Sequence, residues 1–244
     1  MVRRAFFPGA GFGTRMKELT KNLPKPLLKV YNIPLIYYSL FWGKYWGIKE
    51  AVVNVHYLGD KIREELRGFS EFKLDISEEK PDILGTGGGV RTGIHRYWSL
   101  KDDFLVINPD FLFFAAPSFS PWPNEEEKEN FDCILFLAES DPVQSYTSLS
   151  LSEGKVSFEK GGYFYLGLSW MKASCLSSIS PDKYYDLSDT FRELAAKGRL
   201  GGKVFPGTFL DLGEKEFYET HRNTDFSNRL PKAWISFRDK ISNK

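Results

Sequence analysis

A chain of 244 residues with 33 Lys+Arg against 32 Asp+Glu carries a formal charge of +1. That balance excludes a general polyanion binder, because nucleic-acid and anionic-membrane proteins carry a basic excess or patch. With 42% hydrophobic and 16% aromatic residues the chain has the material for a core and is not disordered. At roughly 100–200 residues per domain, the length fits a single domain over 1–244.

The first predicted element is a strand at 5–7, followed by a loop over 8–26 rich in Gly, Pro and Lys. Two arginines before this apolar start resemble a signal peptide, but Gly9, Gly11 and Gly13 cut the apolar stretch short. An apolar helix is predicted over 33–46, with Pro34 in its first turn. Its apolar run, 33–42, is far below the ~20 residues a membrane span needs, so a soluble, cytoplasmic protein is expected. Next come a buried-strand pattern at 51–55, an amphipathic helix at 59–66 opened by Asp60, and a strand at 72–76. A second glycine-rich loop, 85–89, runs into a helix over 90–97, and a β-rich run at 104–107 ends at Asn108-Pro109-Asp110. This alternation predicts an α/β domain, three-layer α/β/α, with a mixed, mainly parallel central sheet.

Beyond that point, 115–130 reads as a surface excursion with prolines and an acidic run. Strands are predicted at 132–139, 148–151, 156–158 and 164–168, then helices at 171–178 and 187–197. Strands near 203–205 and 209–212 and a helix from Glu214 close the reading. Cys133 and Cys175, and His56, His95 and His221, are scattered along the chain. That spacing suits neither a zinc site nor a disulfide framework.

The chemistry begins at Gly9-Ala10-Gly11-Phe12-Gly13-Thr14-Arg15, directly after a strand. Loops at the carboxyl ends of strands in α/β sheets line the ligand crevice, and glycines there let backbone amides approach phosphate oxygens. Two familiar phosphate motifs fail on spacing. Thr14 stands where the dinucleotide fingerprint needs its third glycine, and a P-loop needs Gly-Lys-Ser/Thr. A dinucleotide-dependent oxidoreductase is therefore disfavoured. The loop continues into Pro24-Lys25-Pro26-Leu27, where two prolines stiffen the backbone around a lysine and fix a cation.

Together these residues resemble the signature of the sugar-phosphate nucleotidyltransferases, the pyrophosphorylases of nucleotide-sugar synthesis: Leu-Ala-Ala-Gly-x-Gly-Thr-Arg followed by Pro-Lys-Pro. The resemblance continues through Asn54-Val55-His56-Tyr57-Leu58, Leu84-Gly85-Thr86-Gly87-Gly88-Gly89, Asn108-Pro109-Asp110 and Leu210-Asp211-Leu212-Gly213, in the family's order. The Thr-Gly-Gly-Gly run is most similar to the compact branch that includes N-acetylmuramate 1-phosphate uridylyltransferases and mannose-1-phosphate guanylyltransferases.

The family implies a Rossmann-like fold, with a nucleotide-binding part at about 1–110 and a sugar-phosphate part at about 131–222. It implies transfer of a nucleoside monophosphate from an NTP to a sugar 1-phosphate, giving a nucleotide-sugar and pyrophosphate. Two polyanions must then meet in line, which is an electrostatic obstacle. The resemblance assigns Arg15 and Lys25 as catalytic cations, and Ala10, Gly11, Phe12, Gly13, Thr14, Gly87 and Gly88 to the nucleotide. It assigns Asn108, Lys160 and Gly167 to the sugar phosphate, and Asp110 and Asp211 to a Mg2+ ion.

Two departures from the family pattern stand out. Glu18 replaces a proline and brings a negative charge near the phosphates. Pro109 replaces the small residue before the metal aspartate. They keep open the alternative of a non-catalytic nucleotide-sugar-binding or regulatory homologue, against which the retained Arg15, Lys25, Asp110 and Asp211 weigh. A strand bend explains Gly167, and a hairpin turn explains 159–162 around Lys160, as well as a substrate contact does.

Overall fold

Short β-branched and aromatic runs, bounded by glycine and proline, form the strands of this chain, and the longer apolar-periodic stretches form its helices. The computed structural model describes residues 2–140 and 146–242. In chain order it begins with β1 (Arg4–Pro8), β2 (Lys29–Val30), β3 (Ile33–Pro34), α1 (Leu35–Tyr45), β4 (Glu50–Val55), α2 (Gly59–Glu65) and β5 (Lys73–Glu78). Next are α3 (Gly85–Tyr97), β6 (Asp103–Ile107), β7 (Phe111–Ala115), α4 (Glu125–Asn130), β8 (Cys133–Glu139), β9 (Ser150–Ser152), β10 (Lys155–Ser157) and β11 (Tyr163–Lys172). The remainder comprises α5 (Leu187–Ala196), β12 (Leu200–Val204), β13 (Gly207–Asp211), α6 (Lys215–His221) and α7 (Ala233–Ser242).

Contacts gather the chain into two compact units. The first takes 1–83, 107–119 and 206–244; the second takes 84–106 and 120–205. In the first, β1 pairs in parallel with β4 from Arg4↔Glu50 to Pro8↔Asn54, and β4 with β5 from Glu50↔Lys73 to Val55↔Glu78. Ala5, Phe6, Phe7 and Ala51, Val52, Val53 are wholly buried, the continuous apolar pattern of strands covered on both faces. A separate antiparallel pair joins β7 to β13, with Asp211 opposite Phe111.

The tail beyond Arg222, which carries no motif, seals α1. Trp234 of α7 stacks on Tyr38 at 4.8 Å and meets Phe41 edge-on at 5.2 Å. Lys240 of α7 and Lys44 of α1 both pair with Glu71.

In the second unit the strand order is β6-β11-β8-β12-β10-β9. There β8 runs antiparallel to β11 and parallel to β12. Gly167 has φ +69° and lies where the β11–β8 register slips between Tyr165 and Ser169, so a β-bulge accounts for the glycine. Asp132 accepts hydrogen bonds from Arg199 and Lys172 at 2.7 Å each.

The pairings establish the expected class, a Rossmann-like α/β fold with a mixed, mainly parallel sheet. Several elements differ from expectation. The 33–46 helix starts only at Leu35, because Ile33–Pro34 pairs with β2. No helix spans 171–178. Instead β11 continues to Lys172, with Trp170 and Met171 paired to Ile134 and Cys133 and fully buried, and a single 3-10 turn follows at Ala173–Leu176. The 85–89 loop is the first turn of α3. The 115–130 excursion ends in α4, closed by a capping box between Asn124 and Glu127. No helix among the described residues is long and apolar enough to cross a membrane.

Candidate active site

β1 ends at Pro8, and the chain turns through Gly9–Gly13 into a 3-10 segment, Thr14–Thr20. Gly9 packs directly on β4: a Cβ there would lie 2.7 Å from the Asn54 carbonyl oxygen. Its N–H donates to Asn54 Oδ1 at 2.7 Å. Ala10 is buried, whereas Gly11, Phe12, Thr14 and Arg15 are exposed and a Cβ at Gly11 would meet nothing within 4 Å. Gly13 has φ +64° and is wedged between Thr20 and Lys25, with Thr20 Cγ2 at 2.9 Å from a notional Cβ. The loop thus has one face against the sheet and one open face.

Pro24 and Pro26 hold Lys25 in a short turn, closed by Leu27 N–H donating to Pro24 O. The lysine reaches across 85 positions to Asp110, Nζ to Oδ2 at 2.6 Å, with the two side chains 14% and 20% exposed. Asp110 Oδ1 is buried and has no hydrogen-bond partner among the described residues. Leu212 N–H donates to the Asp110 carbonyl, and Gly213 N–H to Asp211 Oδ1 at 2.7 Å. A Cβ on Gly213 would lie 2.7 Å from Asp211 Oδ1 and 3.5 Å from Lys25 Nζ. Lys25, Asp110 and Asp211 therefore converge at one point, and Gly213 leaves the room between them.

Among the described residues no group of three or more His, Cys, Asp or Glu is placed to hold a metal ion. Two carboxylates, one with an unpartnered buried oxygen, instead fit a hard cation that takes its other oxygens from phosphate and water.

Arg15 donates to Glu214 at 2.8 Å, Lys215 pairs with Glu18, and Lys17 lies 4.0 Å from Glu216. The 3-10 segment is thus fastened to the start of α6. The Lys215 hydrogen bond holds the Glu18 carboxyl below its ordinary range, so this departure from the family pattern anchors the loop. The sequence pattern marks Glu214 only as a helix start and Lys215 not at all. Their signal is the Glu-Lys-Glu run at 214–216, which complements Arg15, Lys17 and Glu18. Asn108 is half-buried, and its carbonyl takes a hydrogen bond from Ser39 at 3.3 Å.

The other predicted site residues belong to the second unit. Gly87 and Gly88 are buried in the first turn of α3 against the 183–187 segment. A Cβ on Gly88 would lie 2.1 Å from the Lys183 carbonyl oxygen, and the Gly88 N–H already donates to Tyr185 O. The chain's own backbone stands where a side chain on Gly88 would lie. Lys160 is exposed. Gly161 beside it must be glycine, since a Cβ would stand 2.2 Å from the Leu149 carbonyl.

Known proteins resemble this chain along most of its length. The family model described as nucleotidyl transferase matches residues 9–157. N-acetylmuramate alpha-1-phosphate uridylyltransferase of Neisseria meningitidis serogroup B is 30% identical over 221 residues, 86% of this chain and 93% of that protein. Mannose-1-phosphate guanylyltransferase 1 of Arabidopsis thaliana is 26% identical over 228 residues, 86% of this chain, which spans 61% of that protein's length. A solved UDP-glucose pyrophosphorylase from Acinetobacter baumanii shares the fold with TM-score 0.78 at 18% identity, covering 100% of this chain and 99% of that one.

Proposed function

The chain belongs to the nucleotidyl transferase family, and from that premise we propose a magnesium-dependent transfer of a uridylyl or guanylyl group from its triphosphate to a sugar 1-phosphate. The observation that carries the proposal is the convergence of Lys25, Asp110 and Asp211 in the unit that also holds the open glycine loop.

The attacking sugar phosphate is already an anion, so no general base is required. The protein must offset negative charge and hold the reacting groups in line. Backbone amides of 10–14, the Arg15 guanidinium and the Lys25 ammonium supply fixed positive partners for the triphosphate. Asp110 and Asp211 would hold the Mg2+ ion, which when bound neutralises charge that builds on the leaving pyrophosphate. Asn108, Lys160 and Gly167 are the proposed sugar-phosphate residues and Gly87 and Gly88 the proposed base-side residues, on the strength of the family resemblance. In this reading Gly88 acts through its place in the α3 turn, because its amide is engaged by Tyr185.

The deciding experiment is continuous pyrophosphate detection across a grid of UTP, GTP, CTP and TTP against N-acetylmuramate 1-phosphate and mannose 1-phosphate. Release with UTP or GTP and one of these acceptors is the expected result. Release confined to CTP or TTP would refute the base assignment. No release in any pairing, with nucleotide-sugar binding retained, would leave the non-catalytic homologue standing.

A further inference from the structure

Behind the glycine loop, three residues at the carboxyl ends of adjacent parallel strands form a buried hydrogen-bonded chain that the proposed chemistry does not use. Gly9 follows β1, Asn54 lies near the end of β4, and Glu79 follows β5. Gly9 N–H donates to Asn54 Oδ1 at 2.7 Å, and Asn54 Nδ2 donates to Glu79 Oε1 at 2.6 Å. Asn54 and Glu79 are 2% and 1% exposed.

The orientation of the amide follows from its neighbours. A backbone N–H can only donate, so Asn54 must turn its oxygen to Gly9 and its NH2 to the carboxyl oxygen. Asparagine is the side chain of this size that offers an acceptor on one side and a donor on the other. Glu79 also orients a second contact with the loop. His56 Nδ1 lies 2.9 Å from the Glu79 carbonyl oxygen, and the His56 ring meets Phe12 edge-on at 5.5 Å. The Glu79 main chain is itself tied to β4, its N–H donating to Val55 O at 2.9 Å.

We propose that Asn54 and Glu79 are positioning residues for the phosphate-binding loop: Glu79 locks the Asn54 amide, and Asn54 fixes the Gly9 amide from which the amides of 10–14 take their direction. This rests on the nucleotidyl-transfer reading given above. Buried polar groups add little to stability over well-packed apolar ones, whereas a fully satisfied network holds a single geometry. Amides aimed at phosphate oxygens need that geometry, because their worth depends on being in place before the charge arrives.

The test uses Asn54→Leu, Asn54→Asp, Glu79→Leu and Glu79→Gln in the full chain. Asn54→Asp keeps the oxygen toward Gly9 but turns an acceptor on Glu79. Glu79→Gln keeps the oxygen that Asn54 needs. Hydrogen–deuterium exchange of the 9–14 segment, in the absence of substrate, should accelerate by ~10-fold in the first three variants and stay near wild type in Glu79→Gln, the loss expected for one buried hydrogen bond. In the same three variants KM for the triphosphate should rise by ~10-fold while KM for the sugar 1-phosphate stays within ~2-fold.

Faster unfolding with unchanged loop exchange and unchanged triphosphate KM would overturn the positioning role, as would an equal rise in both KM values. If the wild-type chain releases no pyrophosphate with any substrate pair, the functional reading fails. The exchange measurement still decides whether these two residues set the loop.

Discussion

Lys25 and Arg15 carry the same charge on the same stretch of chain, yet their surroundings differ. The Lys25–Asp110 pair is four-fifths or more buried, while Arg15 and Glu214 are 64% and 54% exposed. Lys25→Ala should cut turnover by ~10²-fold or more and also cost about 1–3 kcal/mol of stability, because the largely buried Asp110 carboxylate loses the Lys25 hydrogen bond to its Oδ2. Arg15→Ala should cut turnover comparably at a cost below about 1 kcal/mol, the worth of an exposed pair. Urea unfolding beside continuous pyrophosphate detection separates the two, and equal stability losses would contradict the burial argument. Gly88 gives a second prediction at this scale. A methyl group there meets the Lys183 carbonyl at 2.1 Å, so Gly88→Ala should destabilise the protein by about 1–3 kcal/mol. A thermal scan should read that as a Tm lower by about 2–12 °C.

Among the elements, α7 and the Asp132 cluster show how much of the chain serves packing. Trp234 is 1% exposed, against Tyr38, Phe41 and Phe237. Its replacement by alanine should cost about 3–5 kcal/mol, measurable by urea denaturation; a loss below 1 kcal/mol would show that α7 is not part of the core. In the second unit, the hydrogen bonds from Arg199, set against partial burial and joined by Lys172, hold the Asp132 carboxyl down to about 2. A depressed carboxyl contributes stability that is complete above its unfolded value of about 3.8 and is lost as pH falls toward 2. The wild type should therefore lose of order 1–2 kcal/mol across that window. Asp132→Asn should remove this part of the acid sensitivity, and an identical acid-unfolding profile would refute the linkage.

At the scale of the whole molecule, the first unit assembles the loop, Lys25, Asp110 and Asp211 from three separated stretches of chain. Two carboxylates are too few to hold a hard cation tightly without phosphate oxygens. Chelation should accordingly abolish pyrophosphate release, and Mg2+ should restore it only together with the triphosphate. In Asp110→Asn or Asp211→Asn, saturating Mg2+ should recover less than ~1% of turnover. Full activity in chelator would remove the metal from the mechanism.

Local sequence carried the fold class and the site vocabulary because both depend on short-range chemistry. Short apolar runs rich in β-branched and aromatic residues and closed by glycine or proline favour buried strands, and Gly9–Arg15 with Pro24-Lys25-Pro26 puts amides and cations on one loop whatever surrounds it. The β13–β7 pairing that draws Asp211 beside Asp110 depends on contacts about a hundred positions apart, which no local pattern encodes. The same holds for the Glu214 and Lys215 fastening, the strand identity of Trp170 and Met171, and the α7 seal over α1. It holds also for Gly87 and Gly88, where a glycine needed by the 183–187 backbone and a glycine needed by a ligand look identical in sequence. Only the tertiary structure decides which neighbour takes the missing side chain's place.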